Sequence, residues 1–281
     1  MSPSGSLLSK EIKIIVSRSL EEDIGTGDIT TESIQITPLS VKADAKAKQM
    51  MTLCGEEFFK EVFRQIDPQI KIIFFYNDGD LVKKGSTLMT LEGDAKSILK
   101  GERTALNLLQ HLSGIATLTK NFVEVANPVK ILDTRKTHPG LRRIEKYAVI
   151  CGGGINHRFG LYDAVLIKDN HIKVAGGIKQ AITQIRDSLG KNCFIEIELT
   201  NLEEVRVAIE QKPNRILLDN MTITTIRQAV EIISGRSEIE VSGSIILDRV
   251  AELSMTGIDY ISVGALTHSA PWADISLNFA D

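Results

Sequence analysis

The chain has 281 residues, 43% of them hydrophobic, enough for one large core or two smaller ones. Its formal net charge is only -3, it carries no long Lys/Arg run, and Phe, Trp and Tyr make up 5% of it, so nucleic acid is a poor candidate partner. No apolar run approaches the roughly 20 residues of a membrane helix; the N-terminus lacks a basic segment followed by an apolar one, so export is not expected. Three isolated cysteines (Cys54, Cys151, Cys193) without metal-site spacing read as small core residues in a reducing, cytoplasmic setting.

In chain order, residues 7–20 carry apolar positions at helical spacing and predict an amphipathic helix. The segment EEDIGTGDITTE that follows reads as a loop, its simplest role a capped turn. Residues 41–91 look β-rich, with a strand over 70–76 and turns at 77–80 and 83–85. The pattern DGDLVKKGSTLMTLEG within them is similar to the small β-sandwich of biotinyl and lipoyl carriers, but Lys96 is followed by an apolar run rather than held at a hairpin tip, so the likeness is one of architecture. Residues 96–125 predict a long helix, with Ala105, Leu109, Leu112 and Ala116 at helical spacing. Ser113 and Gly114 are expected to break or kink it and to mark a boundary between a domain of residues 1–112 and one of 113–281.

Past Pro128, six short β-like segments alternate with helical ones: VKILDT, DAVLIKD, CFIEIEL, NRILLDN, EIEVSGS and DYISVGA. Such alternation predicts a parallel sheet, open or closed into a barrel. Each segment ends in polar or glycine-rich residues: Thr134-Arg135-Lys136, Lys168-Asp169-Asn170, Asp219-Asn220, Ser242-Gly243 and Val263-Gly264, with Glu196 and Glu198 on the third. In α/β barrels the C-terminal strand ends share one mouth, so these residues should converge. Alternation puts Ile195, Ile197 and Leu199 toward the helices and Glu196 and Glu198 inside. Glu196 reads equally well as functional or as a structural ion-pair partner of Lys168 or Arg135; for Glu198, nearer the mouth, function is favoured. Lys168 faces inward as an anion binder or a Schiff-base nucleophile, and its Arg-rich surroundings favour the anion.

The stretch from Asp133 to His171 concentrates Arg135, Lys136, Arg142, Arg143, His157, Arg158, Lys168 and His171 in a nearly neutral chain, which predicts a pocket for a small, multiply charged anion. Arg135 and Arg158 can each grip a carboxylate with two parallel hydrogen bonds. His138, His157 and His171 are weak signals alone, and His111 and His268 read as structural. Glycines at the last two strand ends suit close backbone approach to a phosphate. Gly152-Gly153-Gly154 does not fit a dinucleotide fingerprint.

The chain resembles the quinolinate phosphoribosyltransferases, the decarboxylating nicotinate-nucleotide pyrophosphorylases. The resemblance rests on EDIGTGDIT, GERTALNLLQHLSGIAT, DTRKTHPGLRRIEKYAV, GGGINHRFGLYDAVLIKDNHI, EIEL, LLDN, SGS and SVGALTHS, nearly the whole length. It implies an N-terminal α/β sandwich domain and an incomplete parallel α/β barrel, with room for the extreme C-terminus to pack back on the first domain. It implies transfer of phosphoribosyl from 5-phosphoribosyl 1-pyrophosphate to quinolinate with decarboxylation, in NAD biosynthesis. It also implies a homodimer or higher homo-oligomer in which Arg103 is lent to the neighbouring site. By motif position, Thr134, Arg135, His157, Arg158 and Lys168 would hold the quinolinate carboxylates. Lys136, Glu198 and Asp219 would meet the phosphoribosyl donor and Mg²⁺, the two acids directly or through substrate or water. Lys136, Lys168, Glu198 and Asp219 would be the catalytic set, and Ser242, Gly243, Val263 and Gly264 would hold the 5′-phosphate. Two positions depart from the family pattern: Ser244, where Gly is usual, and His138, where Thr is common. The competing readings are a paralogous phosphoribosyltransferase-like protein associated with molybdenum uptake, a barrel lyase using Lys168 as a Schiff base, and a non-enzymatic carrier.

Overall fold

A computed structural model describes residues 5–35, 37 and 40–280. In chain order its elements are α1 (Gly5–Ile24), α2 (Ile29–Ser33), β1 (Ser40–Ala47), β2 (Met51–Thr52), α3 (Glu56–Ile66), β3 (Lys71–Phe74), β4 (Leu81–Val82), β5 (Thr87–Asp94), α4 (Ala95–Ala126), β6 (Lys130–Leu132) and α5 (Arg142–Cys151). There follow β7 (Val165–Ile167), α6 (Asp169–Ala175), α7 (Ile178–Leu189), β8 (Ile195–Leu199), α8 (Leu202–Ile209), β9 (Arg215–Asp219), α9 (Ile223–Ile233), β10 (Glu238–Ser242), α10 (Leu247–Ser254), β11 (Tyr260–Ser262), α11 (Ala265–His268) and β12 (Ile275–Phe279). Two compact units result: residues 1–120, 138–153 and 269–281 form the first, and 121–137 with 154–268 the second.

The first unit is built on an antiparallel sheet of order β12-β1-β5-β3, with α1, α3 and α5 in the same unit. Buried Ala43, Ala45 and Ala47 alternate along β1, as a sheet with one covered face requires. The predicted first helix is present and runs one turn further, to Ile24. The predicted loop after it shrinks to a few residues, because Asp28 caps α2 by accepting the Thr31 N–H at 3.0 Å. Helix α3 lies within the stretch whose composition predicts strands. Its Phe58, Phe59, Val62 and Phe63 recur at helical spacing and are buried, and Asp78 closes its first turn by accepting the Gly55 and Glu56 N–H groups at 2.8 and 3.0 Å.

The expected break at Ser113-Gly114 does not occur; α4 is continuous over 32 residues. Both residues are small for packing reasons. The Ser113 hydroxyl donates to the Cys54 carbonyl and accepts its N–H, and a side chain on Gly114 would place Cβ 2.2 Å from the Pro271 carbonyl oxygen.

The second unit bears out the six predicted strands. They form one parallel sheet of order β6-β11-β10-β9-β8-β7, an incomplete barrel, and α6 and α7, then α8, α9 and α10, fall between successive strands from β7 to β11. Ile195, Ile197, Leu199, Ile216, Leu218, Ile239, Val241 and Ile261 are buried as the apolar face of those strands. Polar residues start the connecting helices: Asn201 caps α8 and Thr222 caps α9 by accepting N–H groups three residues on. Among the described residues no helix is long and apolar enough to cross a membrane.

Candidate active site

The C-terminal ends of the six parallel strands open on a cavity of about 810 Å³ in the second unit. It is lined by Thr134, Arg135 and Lys136 after β6, by His157 and Arg158 from the following loop, and by Lys168 at the end of β7. Glu198 of β8, Asp219 and Asn220 at the end of β9, Glu240 of β10 with Ser242, Gly243 and Ser244 at its end, and Ser262, Gly264 and His268 at and after the end of β11 complete the polar lining. The convergence expected from the strand ends is therefore present, and a volume of this size takes two small ligands together.

Local structure fixes these groups. The Thr134 hydroxyl accepts the Lys136 N–H at 3.0 Å and the Thr267 hydroxyl donates to the Lys136 carbonyl at 2.7 Å, so the loop carrying Arg135 is tied at both ends. Lys168 is the residue before α6; its N–H donates to the His171 ring at 3.0 Å, which gives His171 a helix-starting role, while its ammonium pairs with Glu198. The Arg158 side chain donates to the Ala164 carbonyl at 3.1 Å. Its pKa is held below the usual guanidinium value by burial and by the nearby Arg135, against the pull of Glu196, Asp163 and Glu198. Two arginines that repel each other are stabilised by an anion placed between them.

At the ends of β9 and β10, Asp219 stands opposite Ser242 in register; it accepts the Ser242 hydroxyl at 2.6 Å and the Asn220 amide at 2.8 Å. Gly243 has φ +96°, and a Cβ there would lie 2.1 Å from the Asn220 side-chain oxygen, so only glycine lets this turn close. Ser244 follows at φ +49°, in the left-handed region that glycine occupies without strain.

One layer deeper, Glu196 accepts from the His157 Nε2 at 3.1 Å, and Glu240 lies 3.6 Å from the same nitrogen. The Ser262 hydroxyl donates to Glu240, and Arg215 donates to Glu240 at 3.0 Å and to Glu238 at 2.9 Å. Burial first, then the neighbouring Glu196 carboxylate, pushes the Glu240 pKa up to about 7; burial also raises that of Glu196. His157 accepts the Arg158 N–H on Nδ1 at 2.8 Å. Both ring nitrogens of His157 are thus engaged by the protein, and the ring braces Arg158 while bordering the cavity. Glu196 pairs with His157 and stands beneath the lining.

Other expected residues stand elsewhere; Arg142 and Arg143 of the predicted cationic pocket begin α5, in the first unit. The Val263 side chain is buried, its N–H donates to the Leu132 carbonyl at 2.9 Å, and it is not among the residues that line the cavity. Arg103 is exposed on α4 in the first unit. Glu240, Asn220, Ser262 and His268 were not singled out from the sequence for this site. The alternation that selects Glu196 and Glu198 applies equally to EIEVS and would have found Glu240.

Residues 28–113 match the family model described as the quinolinate phosphoribosyl transferase N-terminal domain, and residues 115–278 match the C-terminal domain model of the same family. The nicotinate-nucleotide pyrophosphorylase of Francisella tularensis has a solved structure that superposes with a TM-score of 0.92 at 43% identity, covering 97% of each chain. The corresponding Ehrlichia chaffeensis structure gives 0.92 at 41% identity over the whole of both chains. Among plant proteins, quinolinate phosphoribosyltransferase [decarboxylating] 2, mitochondrial, of Nicotiana glauca is 41% identical over 288 residues, covering 95% of this chain and 82% of that one. Fold and relatives together define a phosphoribosyltransferase. Within that class the chain belongs to the quinolinate phosphoribosyltransferase family.

Proposed function

We propose that this chain transfers the phosphoribosyl group of 5-phosphoribosyl 1-pyrophosphate to quinolinate, releasing pyrophosphate and CO₂ and yielding nicotinate mononucleotide for de novo NAD synthesis. The observation that carries the reading is the cavity itself, where Arg135, Lys136, Arg158 and Lys168 share one space with Glu198, Asp219 and the Ser242–Ser244 turn. Quinolinate has two adjacent carboxylates, which Arg135 and Arg158 fit as paired forks, with Lys168 as a third cation. Thr134 and His157 support them, one tying the Arg135 loop and the other bracing Arg158. Ser242, Gly243 and Gly264 offer a hydroxyl and close backbone to the 5′-phosphate.

The pyridine nitrogen forms a bond to ribose C1 as the bond from C1 to pyrophosphate breaks, the electron pair leaving with pyrophosphate. Lys136 lies where it can bind the departing phosphates, and Asp219 and Glu198 where they can accept from the ribose hydroxyls. The pyridinium that results draws the electrons of the C2–carboxylate bond as CO₂ leaves, and a proton then replaces the carboxylate. Holding two anionic reactants in contact against their repulsion is the main task of these side chains. Glu198 and Asp219 are also the residues that would hold Mg²⁺, with phosphate oxygens and water as further ligands; two carboxylates in an open, oxygen-rich cavity suit that ion. Bound there, Mg²⁺ would neutralise the leaving pyrophosphate.

Incubation with quinolinate, 5-phosphoribosyl 1-pyrophosphate and Mg²⁺ should give nicotinate mononucleotide and CO₂ in equal amounts. Faster turnover of nicotinic acid in a parallel reaction would overturn the choice of acceptor. A dimer that lends Arg103 to its neighbour is part of the same reading, supported by the exposure of Arg103 on α4. Mixing inactive Arg103→Ala and Arg135→Ala chains should then restore activity through hybrid dimers; no recovery after verified subunit exchange removes the shared arginine. Three free cysteines fit a cytoplasmic setting, which cell fractionation tests.

A further inference from the structure

A second cluster of metal-ligating side chains lies in the first unit, and the transfer chemistry makes no use of it. Glu145 of α5 is fully buried, and two imidazoles converge on one of its oxygens. The His111 Nε2, from α4, stands 3.1 Å from Oε1, and the His138 Nδ1, from the loop before α5, stands 2.6 Å from the same atom. The other carboxylate oxygen accepts the His138 N–H at 3.1 Å, so the group is oriented before any ligand arrives. The three ligand atoms lie within 4.8 Å of one another. Around a tetrahedral zinc ion bonded at about 2.0–2.1 Å, neighbouring ligand atoms are about 3.3 Å apart; the His111 separation is close to that, and the exposed His138 ring would move outward by about 0.7 Å to admit the ion.

The surroundings point the same way. His111 and His138 line a cavity of about 470 Å³ together with Glu22, Asp23, Asn107 and Trp272. The His138 side chain is 51% exposed, which provides an access path, whereas Glu145 is 0% exposed. Two histidines and one carboxylate with a fourth position open to a cavity form the donor set of an open zinc site. That set prefers a borderline transition ion to Mg²⁺, which seeks oxygen ligands.

We propose that His111, His138 and Glu145 form a site for one Zn²⁺-class ion per chain, with its open coordination position facing the Glu22–Asp23 cavity. None of His111, His138 and Glu145 lines the cavity assigned to the transfer, so the site is separate from that reaction.

The test is titration of chelator-stripped, full-length protein with Zn²⁺ in excess Mg²⁺, followed by calorimetry, with Co²⁺ as a spectroscopic stand-in. One saturable ion per chain is expected, with cobalt bands of nitrogen and oxygen ligation. His138→Thr and His111→Gln should each weaken binding by about 100-fold or more, as loss of a direct ligand exceeds the outer-shell effect. His138 is half exposed, so its variant should fold normally; the rise in Tm that Zn²⁺ gives the parent should vanish in it. Absence of saturable binding, binding unchanged in the His138→Thr chain, or a thiolate-to-cobalt charge-transfer band from Cys54 and Cys151 would each overturn the assignment.

Discussion

The mouth and the interior of the same parallel sheet use similar side chains to opposite ends. On β8, Glu196 and Glu198 are two residues apart and face the same way; on β10, so do Glu240 and Ser242. The deeper members are held in a network of His157, Glu196, Glu240, Ser262 and Arg215, in which protein groups bond one another at the floor of the cavity. The outer members border a cavity where several cations share one space. A displacement of about 7 Å along a strand thus separates structural charge from charge held for a ligand. The lesson is that burial alone does not mark function: on this sheet the more buried acids, Glu196 and Glu240, are the ones already engaged by protein partners.

The comparison is broken most directly at the mouth. Arg135→Ala should lower kcat/KM by roughly 100- to 1000-fold, the loss of two charge-assisted hydrogen bonds, and weaken quinolinate binding while Tm moves little. Calorimetry that finds unchanged quinolinate affinity would count against Arg135 as a carboxylate ligand. Ser242→Ala should raise the KM for the phosphoribosyl donor about tenfold, one hydrogen bond, and leave quinolinate affinity alone; equal effects on both substrates would show that it acts through Asp219 instead.

The interior answers in a different currency. Glu240 is ordinarily a carboxyl of pKa 4.5 and is pushed to about 7 in the fold. The folded protein therefore holds this proton more tightly than the unfolded chain. The resulting stability is complete below about pH 4.5 and is withdrawn as the pH rises through about 7. Glu240→Gln should flatten that fall in Tm and make the protein relatively more stable at pH 8. A Tm–pH profile identical to the parent's would remove the buried acid from this account. The smallest effect is expected from Ser244→Gly: it relieves a φ of +49° but frees the unfolded chain, so stability should change by under about 1 kcal/mol and activity by less than about threefold.

Much of this was legible in the sequence, for reasons that differ by region. The six parallel strands announced themselves because each is a short apolar run closed by polar or glycine residues, and that same punctuation marked the mouth. Helix α3 was hidden because Phe58, Phe59, Val62 and Phe63 sit between strands rich in the same residue types. Ser113 and Gly114 were misleading: small residues signal close approach as readily as a break, and only the Cys54 and Pro271 contacts distinguish the two. The role of His138 was not readable from spacing, since His111 and Glu145 reach it from 27 positions before and 7 after.

Both sheets are completed late. Strand β6, the first of the parallel set, pairs with β11, the last; β1 pairs with β12, which begins at Ile275. During translation, then, β1 keeps a bare edge until Ile275–Phe279 have left the ribosome, and the first unit cannot be finished before the strands of the second have been made. Truncation before Ile275 should give aggregating products rather than shortened enzymes, and synthesis of this protein should lean on chaperones that shield strand edges.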